Sequence, residues 1–297
     1  MHSTRWCIGI AVAVAAALAA ARGGGAFIAP GMAVSGHTRS ADGVEIAYSE
    51  RGSGPLAIVF IHGGLADRTF WAPQFAGLPG EYRLVALDLA GHGDSGSNRA
   101  TWTIAAWAGD VVAVADALKL QRIVLVGNSL GGPVALEAAA RLRGRAIGVI
   151  GVDTLHDATQ RMPKEAAHQQ AEALRKDYAA GCRAMVAALF HPGTQAELRA
   201  WAERRMCSAP RPMAAAMMES FGGYDMAPAF RNAGVPIRGI NGDLWTTRTD
   251  VNRTVTPDFD AVIMKGAGHY PMLERPAEFD RLLLEYVQAF DRVAPRR

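Results

Sequence analysis

The chain has 297 residues, half of them hydrophobic, and a formal net charge of only +3. That length suits one well-packed domain carrying an insertion. The charge is mild and dispersed, and no basic run is interleaved with aromatics, which argues against nucleic acid as a partner and leaves small-molecule chemistry as the expected class.

At the N-terminus, His2 and Arg5 precede a continuous apolar stretch from Trp6 to Ala21, followed by Arg22, three glycines and small residues through Ala33. This pattern reads as a secretory signal peptide over 1–33, with small-x-small cleavage options after Ala26 and after Ala33. An uncleaved membrane anchor is the competing reading, although the apolar stretch falls short of the ~18 to 20 residues that a spanning helix requires. In both readings the rest of the chain is expected to be exported, periplasmic or secreted, with membrane contact confined to the N-terminal segment. Export gives the cysteines a meaning. Cys7 falls in the leader, which leaves Cys182 and Cys207 as an even pair able to form one disulfide in an oxidising compartment; two separate buried thiols are the alternative. No Gly-rich turn or helix start frames either one, so neither is read as catalytic.

After the leader, Gly43 to Ser49 alternates like an edge strand, and Arg51 to Pro55 is a turn cluster. Apolar runs follow at Leu56 to Ile61, Leu84 to Leu87, Ile123 to Val126, Ala146 to Val152, Val235 to Ile240 and Ala261 to Met264. Helix-length segments separate most of them, the pattern of a mainly parallel sheet covered on both faces by helices. Active sites in such sheets gather at the carboxyl ends of the strands. The polar residues with chemical potential obey that rule: His62, Asp88, Ser129, Asp153, Asp243 and His269 each follow an apolar run.

Ser129 is the most informative of these. It lies in Gly127-Asn128-Ser129-Leu130-Gly131-Gly132, where a β-branched run breaks and an Ala- and Leu-rich helical segment begins at Pro133. A serine on so sharp a strand-to-helix bend takes a strained backbone conformation, and the residues two before and two after it crowd one another, which Gly127 and Gly131 relieve. A phosphate-cradling loop is the competing reading, but it would need Lys-Ser or Lys-Thr after the glycine, and Pro133 follows instead.

Between Asp153 and about Asn232 the strand rhythm stops. The stretch is rich in Ala, Met, Arg and Gln with helical periodicity, and reads as an inserted helical cap over 154–232, between core segments 34–153 and 233–297. Its expected helices are Glu165 to Leu189, Gln195 to Met206 and Met213 to Phe221. Met213, Met217 and Phe221 form one apolar stripe, read first as a packing face and alternatively as a pliable Met-lined acyl site.

A serine hydroxyl is a weak nucleophile, so it needs a base, and the base needs a carboxylate to hold its tautomer and stabilise the imidazolium. His269, in a Gly-rich loop after the last apolar run, is the expected base. His62 and His92 lie in glycine-rich turns, where an imidazole is expected to bond to backbone. His156 is the only rival near the sheet. Asp243, directly after the penultimate strand run, is the expected carboxylate; Asp153 is the main rival, and Asp250 falls in or near a helix. Backbone N–H groups of Leu130, Gly64 and Leu65 are expected to form the oxyanion hole. No cofactor or metal is called for.

His62-Gly63-Gly64, the run from Asp88 to Ser95, Gly127-Asn-Ser-Leu-Gly131 and Gly268-His269-Tyr-Pro271 together resemble the successive signatures of the α/β-hydrolase superfamily, over Gly43 to Phe290. The resemblance implies an eight-stranded, mainly parallel sheet with the helical cap inserted before the penultimate strand. It makes the Asp88 turn structural, so that Asp88 and His92 would not be catalytic. It also implies a serine hydrolase cleaving a carboxylic ester of a small or medium-sized substrate through an acyl-enzyme on Ser129. A serine at the bend argues against epoxide hydrolase and haloalkane dehalogenase chemistry, which resembles an aspartate-nucleophile design. Lactonase, thioesterase, iminopeptidase, perhydrolase and carbon-carbon hydrolase activities share the same machinery and stay open, as does a slow-turnover ligand sensor signalling through the cap. One departure stands out: in the family the carboxylate commonly lies a few residues beyond the glycine after its strand, whereas Asp243 directly follows Gly242.

Overall fold

A computed structural model describes residues 34–294. The leader reading over 1–33 lies outside the described residues, and among those described no helix is long and apolar enough to cross a membrane.

Eight strands form one sheet: β1 (Val34–Arg39), β2 (Glu45–Arg51), β3 (Ala57–Ile61), β4 (Arg83–Leu87), β5 (Ile123–Asn128), β6 (Ala146–Val152), β7 (Ile237–Asn241) and β8 (Asp260–Ile263). Their spatial order is β1-β2-β4-β3-β5-β6-β7-β8. Both pairings made by β2 are antiparallel and the rest are parallel. The residues of β3 and β5 are buried throughout, as expected of β-branched strands covered on both faces. The two edge strands are β1, whose Ser35, His37 and Arg39 break any apolar alternation, and β8; β2, read from the sequence as the edge, sits one place inside β1.

Helices α1 (Ala72–Gly77), α10 (Pro271–Glu274) and α11 (Pro276–Val293) pack together, with α11 lying along β6 and β7, while the short α9 (Thr249–Val255) packs beside β8. On the other face α2 (Ile104–Ala117), α3 (Gly131–Arg141) and α8 (Met226–Ala233) pack side by side. Side-chain caps mark their starts where the sequence supplies them: Thr103 accepts from the Ala106 N–H and Asp225 from the Ala227 N–H.

The segment between β6 and β7 carries α4 (Lys164–Lys176), α5 (Tyr178–Ala188), α6 (Ala196–Met206) and α7 (Arg211–Ser220) before α8. The single helix expected from Glu165 to Leu189 is broken at Asp177, which leaves the helical region (φ −144°, ψ 86°) and caps α5 with its own carboxylate. Cys182 of α5 and Cys207, directly after α6, are joined as a disulfide. By its place in the chain α8 belongs to the insertion, but it packs on α3 as part of the sheet's cover. The contacts of the insertion with the loops that follow the strands come from the end of α5, from α6 and from α7, on which α4 packs.

Candidate active site

Ser129 follows β5 with φ +52°, in the left-handed region that non-glycine residues rarely enter. Its N–H donates to Val152 O of β6 (3.2 Å), and its carbonyl accepts from Gly132 N–H and from the Thr154 hydroxyl, both at 2.9 Å. The crowding inferred from the sequence is present: a Cβ on Gly127 would overlap the Gly131 carbonyl, and one on Gly131 would overlap Ile61 O. Leu65 (φ +60°), Asp153 (+44°) and Leu155 (+56°) share this backbone region. Each such residue costs about 1–3 kcal/mol, and they cluster here around one point, as strained residues do at working sites.

The carboxylate at His269 is Asp153. His269 Nδ1–H donates to Asp153 Oδ2 at 2.6 Å, and Asp153 Oδ1 accepts from Gly242 N–H at 2.9 Å. Asp153 is almost completely buried. The expectation for Asp243 is thereby corrected. Its N–H is held by Ala267 O (3.1 Å), and its exposed side chain turns outward to accept from Gly266 N–H (2.9 Å). Asp243 thus braces the loop that carries the base without touching the imidazole. Its neighbour Gly242 needs to be glycine, because a Cβ there would overlap the Ala267 and Gly268 carbonyls. Three residues beyond Gly242 stands Trp245, its ring edge-on to His269 with centroids 5.3 Å apart.

Asn128 ties the base loop to the serine. Its Nδ2 donates to Val152 O and to His269 O, both at 2.9 Å. Adjacent to the serine's carrier is the turn after β3: a Cβ on Gly63 would lie 3.1 Å from Ser129 Cβ. The backbone N–H groups of Gly64, Leu65 and Leu130 donate to no acceptor among the described residues. Such unused donors beside a nucleophile are what a developing oxyanion requires.

His62 holds this turn in place. Its Nε2 accepts from Leu89 N–H (3.0 Å), so the ring proton is on Nδ1 and donates to Gly63 O (2.7 Å). Burial pushes its pKa down. His92 packs against it with ring centroids 4.8 Å apart, donates from Nδ1 to Ala90 O, and is driven by burial down to about 3. Asp88 accepts from the backbone N–H of Arg68 (2.7 Å) and Asp94 (2.8 Å) and pairs with the Arg68 guanidinium. These three residues are bound into backbone scaffolding, and the one ring nitrogen among them without a partner, His92 Nε2, is buried.

The insertion closes over this arrangement. Met217 of α7 fills the space where a Cβ of Gly64 would stand, and Met213 does the same beside Gly91. Leu189 O, after α5, accepts the His269 N–H at 2.8 Å. Arg205 of α6 grips Asp67, just beyond the Gly64 turn, with Nε at 3.0 Å and Nη2 at 2.5 Å from one carboxylate oxygen. Asn128 and Trp245 had no assigned role in the sequence. An asparagine ending an apolar strand was the available signal for the first; the second depends on where distant segments meet, as does the contact of Met217, from the apolar stripe of α7, with the Gly64 turn.

Comparison with known proteins agrees with this fold. The 2-(acetamidomethylene)succinate hydrolase of Mesorhizobium japonicum is 26% identical over 240 residues, 76% of this chain and 86% of that protein. A component of the acetoin cleaving system of Cupriavidus necator, a dihydrolipoyllysine-residue acetyltransferase, is 36% identical over 108 residues, 36% of this chain; the match spans only 29% of that longer relative. Among solved structures, a thermophilic esterase from Thermogutta terrifontis superposes with a TM-score of 0.75 at 26% identity, covering 88% of this chain and 99% of that one. Residues 58–282 match the Alpha/beta hydrolase family, and the chain belongs to that family.

Proposed function

We propose that this protein is an exported serine hydrolase that cleaves a carboxylic ester of a small or medium-sized substrate. The observation that carries the reading is the strained Ser129 bend, joined through Asn128 to a His269–Asp153 pair at 2.6 Å. In this reading His269 takes the hydroxyl proton as Ser129 attacks the ester carbonyl, and Asp153 stabilises the imidazolium that forms. The N–H groups of Leu130 and of the Gly64–Leu65 turn receive the oxyanion. His269 then returns the proton to the leaving alcohol, and water activated by the same base frees the acyl group from Ser129.

The ester assignment is supported by the esterase among its structural relatives and by the apolar side chains, Met217 and Trp245, that flank the turn and the base. Export is supported by the composition of residues 1–33 and by the Cys182–Cys207 disulfide, a bond that persists in oxidising compartments.

The test is a fluorophosphonate probe together with p-nitrophenyl acetate, butyrate and octanoate. The wild type is expected to be labelled at Ser129 and to turn over at least one ester. Ser129→Ala is expected to lose labelling and to drop turnover by about 10³-fold or more; unchanged turnover in that variant sinks the mechanism.

A further inference from the structure

His156 has no role in the reading above, yet a continuous set of hydrogen bonds orients its ring beside the carboxylate. Thr154 N–H donates to Asn241 Oδ1 at 3.2 Å, which orients the buried amide. Asn241 Nδ2 then donates to Thr154 O (3.2 Å) and to Thr247 Oγ1 (2.8 Å). Having accepted there, the Thr247 hydroxyl turns its own hydrogen toward His156 Nδ1, 3.0 Å away, and Asn241 Nδ2 also faces that nitrogen at 3.4 Å. Nδ1 is therefore an acceptor, and the ring hydrogen sits on Nε2. Nε2 is buried, has no hydrogen-bond partner among the described residues, and lies 3.8 Å from Asp153 Oδ1.

That distance is beyond hydrogen-bond range. An N–H dipole aimed at a buried carboxylate still attracts it strongly where little water screens the pair. The titratable and charged groups facing His156 are Asp153 after β6, His269 on the last loop, and Arg248, whose backbone N–H holds the His156 carbonyl at 2.7 Å and whose guanidinium pairs with Asp250. Burial lowers the affinity of His156 for a proton, and the proximity of His269 lowers it further against the pull of Asp153. Trp245 makes T-shaped contacts with both imidazoles, with centroids 6.2 Å from His156 and 5.3 Å from His269.

We propose that His156 is a positioning residue for the catalytic carboxylate: held as the Nε2–H tautomer by Asn241 and Thr247, it works with the Gly242 N–H to fix Oδ1 of Asp153, leaving Oδ2 for His269. The inference rests on the hydrolase reading given above. It has two separable consequences. Without the His156 N–H, Oδ1 of the carboxylate is held by the Gly242 N–H alone, which loosens the orientation of the base and lowers kcat. The same loss concentrates the Asp153 charge on His269, which raises the affinity of that imidazole for its proton.

The experiment compares His156→Phe, His156→Gln and Thr247→Val with wild type in kcat, KM and the pH profile of kcat/KM on p-nitrophenyl butyrate. His156→Phe is expected to lose about tenfold in kcat with KM within about twofold, and to shift the acid limb upward by about 0.5 pH unit. His156→Gln, whose amide N–H reaches the same oxygen, is expected to restore kcat to within about threefold of wild type. Thr247→Val keeps the imidazole but releases its tautomer, is expected to move the acid limb in the same direction, and decides the matter if His156→Phe does not fold. Wild-type kcat and an unmoved acid limb in His156→Phe, or in Thr247→Val where that variant decides, overturn the role of His156. A wild type inert to both ester and fluorophosphonate overturns the hydrolase reading instead.

Discussion

At the scale of single residues the decisive point is which carboxylate faces His269. Asp153 and Asp243 both follow apolar strand runs, and either one satisfies a Ser, Asp, His order along the chain. What separates them is the direction of one side chain. The φ of +44° at Asp153 turns its carboxylate under the imidazole, whereas the Asp243 N–H is held to Ala267 O and its side chain points to solvent. Backbone direction at a strand end is set by neighbouring chain segments, so it leaves no mark in the local sequence. Asp153→Asn is therefore expected to lower kcat about 10³- to 10⁴-fold with little change in fold, while Asp243→Asn stays within about threefold of wild type, because its exposed carboxylate braces a loop only through Gly266 N–H. Steady-state kinetics on p-nitrophenyl butyrate checks both, and a larger loss in Asp243→Asn would return the role to that residue. Ser129 and His269, by contrast, were legible, since glycines at fixed offsets and a Gly-rich loop after the last strand are local demands of the chemistry.

Among the elements, the central strands were readable because burial on both faces requires unbroken β-branched runs. Helix boundaries in the insertion were less so. Apolar periodicity continues across Asp177, and only the competition of its carboxylate for the Ala180 N–H ends α4 and starts α5. The break matters for how the insertion is held. The C-terminal end of α5 reaches the base loop through Leu189 O, α6 reaches the turn after β3 through Arg205 and Asp67, and the Cys182–Cys207 bridge joins those two helices. Cross-linking residues 25 positions apart restricts the unfolded segment by about 3.5 kcal/mol. Replacing both cysteines by serine is expected to open 164–220 to limited proteolysis while the core resists cleavage. Equal cleavage rates in the two proteins would show that the bridge does not hold the insertion down.

For the whole molecule, the buried His62 and His92 make stability depend on pH. Both are held neutral by burial, His92 down to about 3, whereas an imidazole in the unfolded chain binds a proton near pH 6.5. Below that value the unfolded state takes up protons that the folded state refuses. Stability is therefore fully present above about pH 6.5 and falls with decreasing pH, at up to about 1.4 kcal/mol per pH unit for each group. Urea unfolding between pH 7 and pH 4 is expected to show that decline, with a shallower slope in His92→Leu; an identical slope would place the acid sensitivity elsewhere.

The sequence by itself determined the strand and helix alternation, the bend at Ser129, the late His269 and the location of polar residues at strand ends, because each follows from local sterics or from the period of burial. Tertiary structure alone decided that Asp153 pairs with the His269 ring, that Asn128 ties the His269 loop to the serine's strand, and that Met217 covers the Gly64 turn. Those contacts join residues far apart in the chain. Their geometry is set by how β5, β6 and β7 lie side by side and by how the insertion folds back over them.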